Sequence, residues 1–89
     1  MPLQQTLRAL SDPTRREIVT ILKSGPQTAG QLSSRFAISA AAVSKHLSVL
    51  KDAGLVRSRR EGTCIIYELN ASVLEALLAW LLELKGDTP

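Results

Sequence analysis

Eighty-nine residues with a net charge of +3 and a single cysteine bound the chain to one domain without an internal disulfide framework. Apolar residues make up 45% of the sequence and aromatics only 3%, so the core must be aliphatic, and no apolar run reaches the roughly 18 residues that would cross a bilayer. The start of the chain lacks a basic-then-apolar export signal and the lone Cys64 suits a reducing compartment, so the expectation is a cytoplasmic protein.

Charge is distributed unevenly. Residues 35–60 carry Arg35, Lys45, Lys51, Arg57, Arg59 and Arg60 against Asp52, whereas residues 61–89 carry only Lys85 against Glu61, Glu68, Glu75, Glu83 and Asp87. A polyanion would be steered to the middle of the chain.

Leu3, Leu7 and Leu10 fall at i, i+4, i+7 and predict a short first helix over residues 3–10. Asp12 followed by Pro13 starts the second, with Ile18, Ile21 and Leu22 facing inward and Gly25-Pro26 ending it. Arg15 and Arg16 stand in its first turn, where the helix dipole disfavours cations; a solvated surface or a reach to phosphate would account for them. Thr28 and Gln31 have capping-box spacing for a third helix that buries Leu32 and Phe36.

The fourth helix, residues 39–53 in "SAAAVSKHLSVLKDAG", has both ends written in: Ser39 as N-cap and Gly54 as the left-handed residue after it. Val43, Leu47 and Leu50 make one apolar stripe, and Ala41, Ser44, Lys45 and Ser48 lie opposite, small or basic, with no acid before Asp52. So slim a face can enter a major groove, and two short helices joined by a tight connection are the pattern of a helix-turn-helix.

After Gly54 the period changes to two. "LVRSRR" and "TCIIYEL" predict a hairpin over residues 55–69, with a two-residue loop at Glu61-Gly62 and with Ile65, Tyr67 and Leu69 packed inward. Arg57, Arg59 and Arg60 on its first strand suit backbone phosphate, or protect an exposed strand edge. Asn70 is placed to cap a last helix over residues 71–85. That helix carries two apolar stripes, Val73-Leu77-Trp80-Leu84 and Leu74-Leu78-Leu81. One can cover the domain's own core and the other calls for a partner, most simply a second copy.

The order read so far is α-α-α-α-β-β-α, a mainly α (α+β) winged helix-turn-helix. The stretches "ALSDPTRREIVTIL", "SAAAVSKHLSVLKDAGLV" and "RREGTCIIYEL" resemble the ArsR family of bacterial transcriptional regulators over nearly the whole chain, residues 3–85. The resemblance implies a homodimeric repressor on a pseudo-palindromic double-stranded operator. By position, Ser39, Ala41, Ala42, Ser44, Lys45, His46 and Ser48 would face DNA, and Arg57, Arg59 and Arg60 would lie near its backbone. The first and last helices would dimerise through Leu3, Leu7, Val73, Leu77, Trp80, Leu81 and Leu84.

One His and one Cys cannot build the donor sets of the metal-sensing members, so no metal or other cofactor is expected. The chain is closer to the short, metal-free autorepressor branch, which implies a membrane protein in place of an ion as inducer. No nucleophile-base pair, phosphate loop or carboxylate pair supports an enzyme. The rival reading is a winged-helix module that docks on protein and does not read DNA.

Overall fold

The computed structural model describes residues 3–86, and Asp87, counted above among the C-terminal acids, lies outside them. The elements run α1 (Leu3–Ala9), α2 (Pro13–Leu22), β1 (Gln27–Thr28), α3 (Ala29–Ser33), α4 (Ala40–Asp52), β2 (Val56–Glu61), β3 (Cys64–Leu69) and α5 (Ala71–Lys85). The expected order lacked β1. This two-residue strand pairs with β3 (Gln27 with Tyr67, Thr28 with Ile66) and makes the hairpin a three-stranded antiparallel sheet in the order β1-β3-β2. Two residues have no periodicity of their own, and their partners lie far along the chain.

The helix starts follow from side chains within three residues. Asp12 accepts from the Arg15 amide at 3.0 Å and Ser39 from the Ala42 amide at 3.1 Å. Thr28 and Gln31 close a reciprocal box at 3.1 and 2.8 Å. α4 ends in a Schellman arrangement: the Gly54 and Leu55 amides return to the Lys51 and Leu50 carbonyls, and Gly54 adopts φ +76°.

Asn70 is the N-cap residue of α5, yet its side chain does not cap that helix. Its Nδ2 donates to the Gly54 carbonyl at 3.0 Å and its backbone amide donates to the Leu55 carbonyl, so it fastens the start of α5 to the end of α4.

Ile18, Leu22, Leu32, Val43, Leu47, Leu50, Leu55 and Val56 form the centre of the core. α1 departs from its expected stripe. Its buried residues are Thr6 and Ala9, while Leu7 is 43% exposed and Leu3 and Leu10 are half-buried. The small Ala9 lines a narrow cleft between α1 and α4 with Val49 and Ala53, so the helices meet on short side chains and the leucines are left to the flanks.

The hairpin loop is Gly62-Thr63, one residue later than expected, because Glu61 pairs with Cys64. Gly62 takes φ +63° at the first loop position, the glycine-first pattern of a II′ turn. Val56, Tyr67 and Leu69 share the sheet face that meets the core. Ile65 has the same parity but sits at the overhanging tip, 39% exposed, and does not pack inward as expected.

α5 divides along its length. Leu77 is buried and Val73 and Leu74 pack on the domain's own core, so these positions are satisfied within one subunit. Trp80 is half-buried. Leu78, Leu81 and Leu84 are 55, 47 and 67% exposed.

Candidate nucleic-acid interface

α4 lies with Val43, Leu47 and Leu50 in the core. Ala41, Ser44, Lys45 and Ser48 are exposed on its other side, with Ser39 and Ala40 exposed at its start and Ala42 half-buried. Asp52 is the one acid on the helix and stands in its last turn. The outer surface through Ser48 therefore has no bulky side chain except Lys45 and no negative charge. Ala29, Gly30 and Ser33 of α3 face Ala40, Ser44 and Tyr67 across a shallow groove of about 230 Å³. A cleft of about 310 Å³ separates the start of α3 from the hairpin tip at Thr63, Cys64 and Ile65.

The three hairpin arginines do not share one face. Successive strand residues point to opposite sides, so Arg57 and Arg59 lie on the outer face and Arg60 on the core-side face, beyond the end of the core. All three are exposed. Arg59 stands 3.4 Å from the carboxylates of both Glu61 and Glu68. Solvated pairs of this kind are worth about 0–1 kcal/mol each, so they open readily to a competing anion.

His46 is turned away from this surface. Its Nδ1 lies 3.3 Å from Arg15 Nη1 and 3.8 Å from Asp12 Oδ2, at the junction of α1 and α2. Arg15 also donates through Nε to the Ala9 carbonyl at 2.7 Å and through Nη2 to the Arg8 carbonyl at 3.2 Å, and Arg16 Nη1 donates to the Leu10 carbonyl at 2.9 Å. The two cations that are misplaced for the dipole of α2 thus serve the carbonyls at the end of α1, where positive charge is favourable. Sequence reasoning missed this cluster. Its signal was the anomaly itself, two arginines at a helix start. The Arg15 amide on its carboxylate holds Asp12 below the ordinary aspartate range.

Among the described residues no three His, Cys, Asp or Glu side chains gather where they could hold a metal ion. Cys64 is a free thiol exposed on the outer hairpin face. No described helix is long and apolar enough to cross a membrane.

The chain matches the family model for bacterial regulatory proteins of the arsR family over residues 12–58. It is 41% identical to the transcriptional repressor SdpR of Bacillus subtilis (strain 168) over 87 residues, 96% of this chain and 97% of that one. Its fold superposes on an ArsR-like transcriptional regulator from Rhodococcus sp. RHA1 with a TM-score of 0.88 at 35% identity, covering 96% of this chain and 78% of the other. It also superposes on the homodimeric winged helix-turn-helix DNA-binding domain of Mb0332 from Mycobacterium bovis, with a TM-score of 0.77 at 27% identity, over 91% and 78% of the two chains. The architecture is accordingly a winged helix-turn-helix, with α3 and α4 as the helix pair and β2-β3 as the wing.

Proposed function

Because the chain belongs to the ArsR family of bacterial regulatory proteins, which are transcription regulators and not enzymes, we propose that it is a repressor that binds a pseudo-palindromic operator as a homodimer. The observation that carries this reading is the outer side of α4, slim and free of acid through Ser48, flanked by the arginine-bearing hairpin. In this reading α4 enters the major groove and presents Ser39, Ala41, Ala42, Ser44, Lys45 and Ser48. Arg57, Arg59 and Arg60 meet phosphates, which set register without reading sequence. The run Ala40–Ala42 offers methyl groups in place of hydrogen-bond donors, so thymine methyls and groove shape carry much of the discrimination.

The dimer is supported by the solvent-facing Leu78, Leu81 and Leu84 of α5 and Leu7 of α1, and by the likeness to homodimeric Mb0332. Leu3 and Trp80, both half-buried, border this surface in the proposal, whereas Val73 and Leu77 belong to the subunit's own core. A two-fold pair would place its two α4 helices on half-sites about one helical turn, 10–10.5 bp, apart. Regulation in this reading uses no metal: the single His46 is engaged with Arg15, and Cys64 stands on the hairpin.

The test is a gel shift of the purified protein on the DNA upstream of its own gene at moderate salt. A discrete complex that resists nonspecific competitor is the expected result. Its absence would overturn the reading and favour docking on protein.

A further inference from the structure

We propose that Arg15 and His46 form a clamp that sets the roll of α4 about its own axis, so that both act in DNA binding as positioning residues and not as contacts. This rests on the DNA-binding reading of α4. The buried side chains along α4 are Val43, Leu47 and Leu50, a single aliphatic stripe. Apolar burial is non-directional, so such a stripe fixes depth better than roll. Hydrogen bonds are directional and supply what the stripe lacks.

His46 lies at the edge of that stripe, beside Lys45, and reaches the α1–α2 junction. Arg15 meets it there with three donors aimed at three acceptors on two helices: Nε and Nη2 at the Ala9 and Arg8 carbonyls, Nη1 at His46 Nδ1. Only a guanidinium offers donors in a fixed planar fork of this reach; a lysine ammonium at this position could not span them. A guanidinium can only donate, so His46 Nδ1 is the acceptor in this contact. Asp12 Oδ2 at 3.8 Å from the ring holds its own place by accepting from the Arg15 amide. The end of α1, whose Leu7 faces solvent, is thereby tied to the helix that carries Lys45 and Ser48. A few degrees of roll would displace those side chains together.

The experiment compares wild type, His46→Leu, Arg15→Met and the double variant on the upstream DNA fragment that the wild type shifts, over a range of salt. Each single variant is expected to bind roughly tenfold more weakly, the scale of one lost hydrogen bond to a charged donor. Log affinity should keep its wild-type dependence on log salt, because no phosphate contact is removed. The double variant should be no weaker than the weaker single one, because both break the same link. The His46 side chain is part-exposed and lies outside the core cluster, so His46→Leu keeps the fold even if Arg15→Met does not. Wild-type affinity in His46→Leu would overturn the proposal. So would a slope reduced by about 0.9, the mark of a direct phosphate contact, or additive losses in the double variant. Failure of the wild type to bind would instead strike the DNA-binding reading.

Discussion

Asn70 Nδ2 lies 3.0 Å from the carbonyl oxygen of Gly54, so the residue at the N-cap of α5 uses its side chain on the end of α4. Together with the Asn70 amide on Leu55 O, this bond joins the two ends of the β2-β3 hairpin at its base. The wing projects from that knot.

Asn70→Asp is the telling substitution there. Asp is as good an N-cap as Asn, and its charge suits a helix start, so a capping role predicts no loss or a slight gain. The observed geometry predicts the opposite. The donor disappears and a carboxylate faces a carbonyl, so stability should fall by about 1–3 kcal/mol. Urea unfolding at one fixed protein concentration checks it; an unchanged midpoint would show that the bond to Gly54 contributes nothing.

The cap at Asp12 has a pH signature. Its carboxylate is held below the ordinary aspartate value of 3.8 by the Arg15 amide. A carboxylate depressed on folding contributes stability that is complete above its unfolded value and is lost as pH falls through the folded one. Asp12→Ala should therefore lower the unfolding midpoint at pH 7, and the gap to wild type should narrow as pH falls below 3.8. All other carboxylates are common to both proteins and cancel in the difference. A gap that ignores pH would mean that the ionised cap is not what the variant loses.

These cases separate what the sequence makes legible from what it does not. Asp12, Thr28 with Gln31, Ser39 and Gly54 each act on backbone within a few residues, and their roles can be read locally. The stripe Val43-Leu47-Leu50 is equally legible, because helical period and burial coincide in it. Non-local partners are not. β1 exists only because Tyr67 and Ile66 lie beside it, Asn70 turns from its own helix to Gly54, and Arg15 reaches α1 and His46. Ile65 shows a third limit: strand alternation gives the face of a side chain but not where the core ends beneath it. The slim face of α4 was visible in sequence; that His46 leaves it for Arg15 was not.

In the proposed complex the wing arginines should be counted by salt. Each phosphate contact contributes about 0.9 to the slope of log affinity against log salt, so replacing Arg57, Arg59 and Arg60 together by Ala should flatten it by up to about 2.7. Arg59 exchanges the Glu61 and Glu68 carboxylates for a phosphate, and those exposed pairs are too weak to hold it back. Lys45→Ala should weaken binding as well, from α4 itself. A slope unmoved by the triple change would show that the hairpin does not clamp the backbone.

In the proposed dimer the exposed end of α5 makes the contact between subunits. Leu81 is 47% exposed and lies between Leu78 and Leu84, outside the core cluster, so Leu81→Glu should leave the subunit folded with its helical circular dichroism intact. In a symmetric pair the same change buries two carboxylates against leucine, and without partners for them the dissociation constant should rise by at least about a hundredfold. Sedimentation at micromolar concentration should then find wild type at twice the 9.6 kDa chain mass and the variant at one. Operator affinity should collapse with the dimer, because each half-site would be held by a single α4 and a single wing. A variant that stays dimeric would move the contact off this stripe. A wild type that sediments as a monomer, with or without operator DNA, would end the two-fold reading altogether.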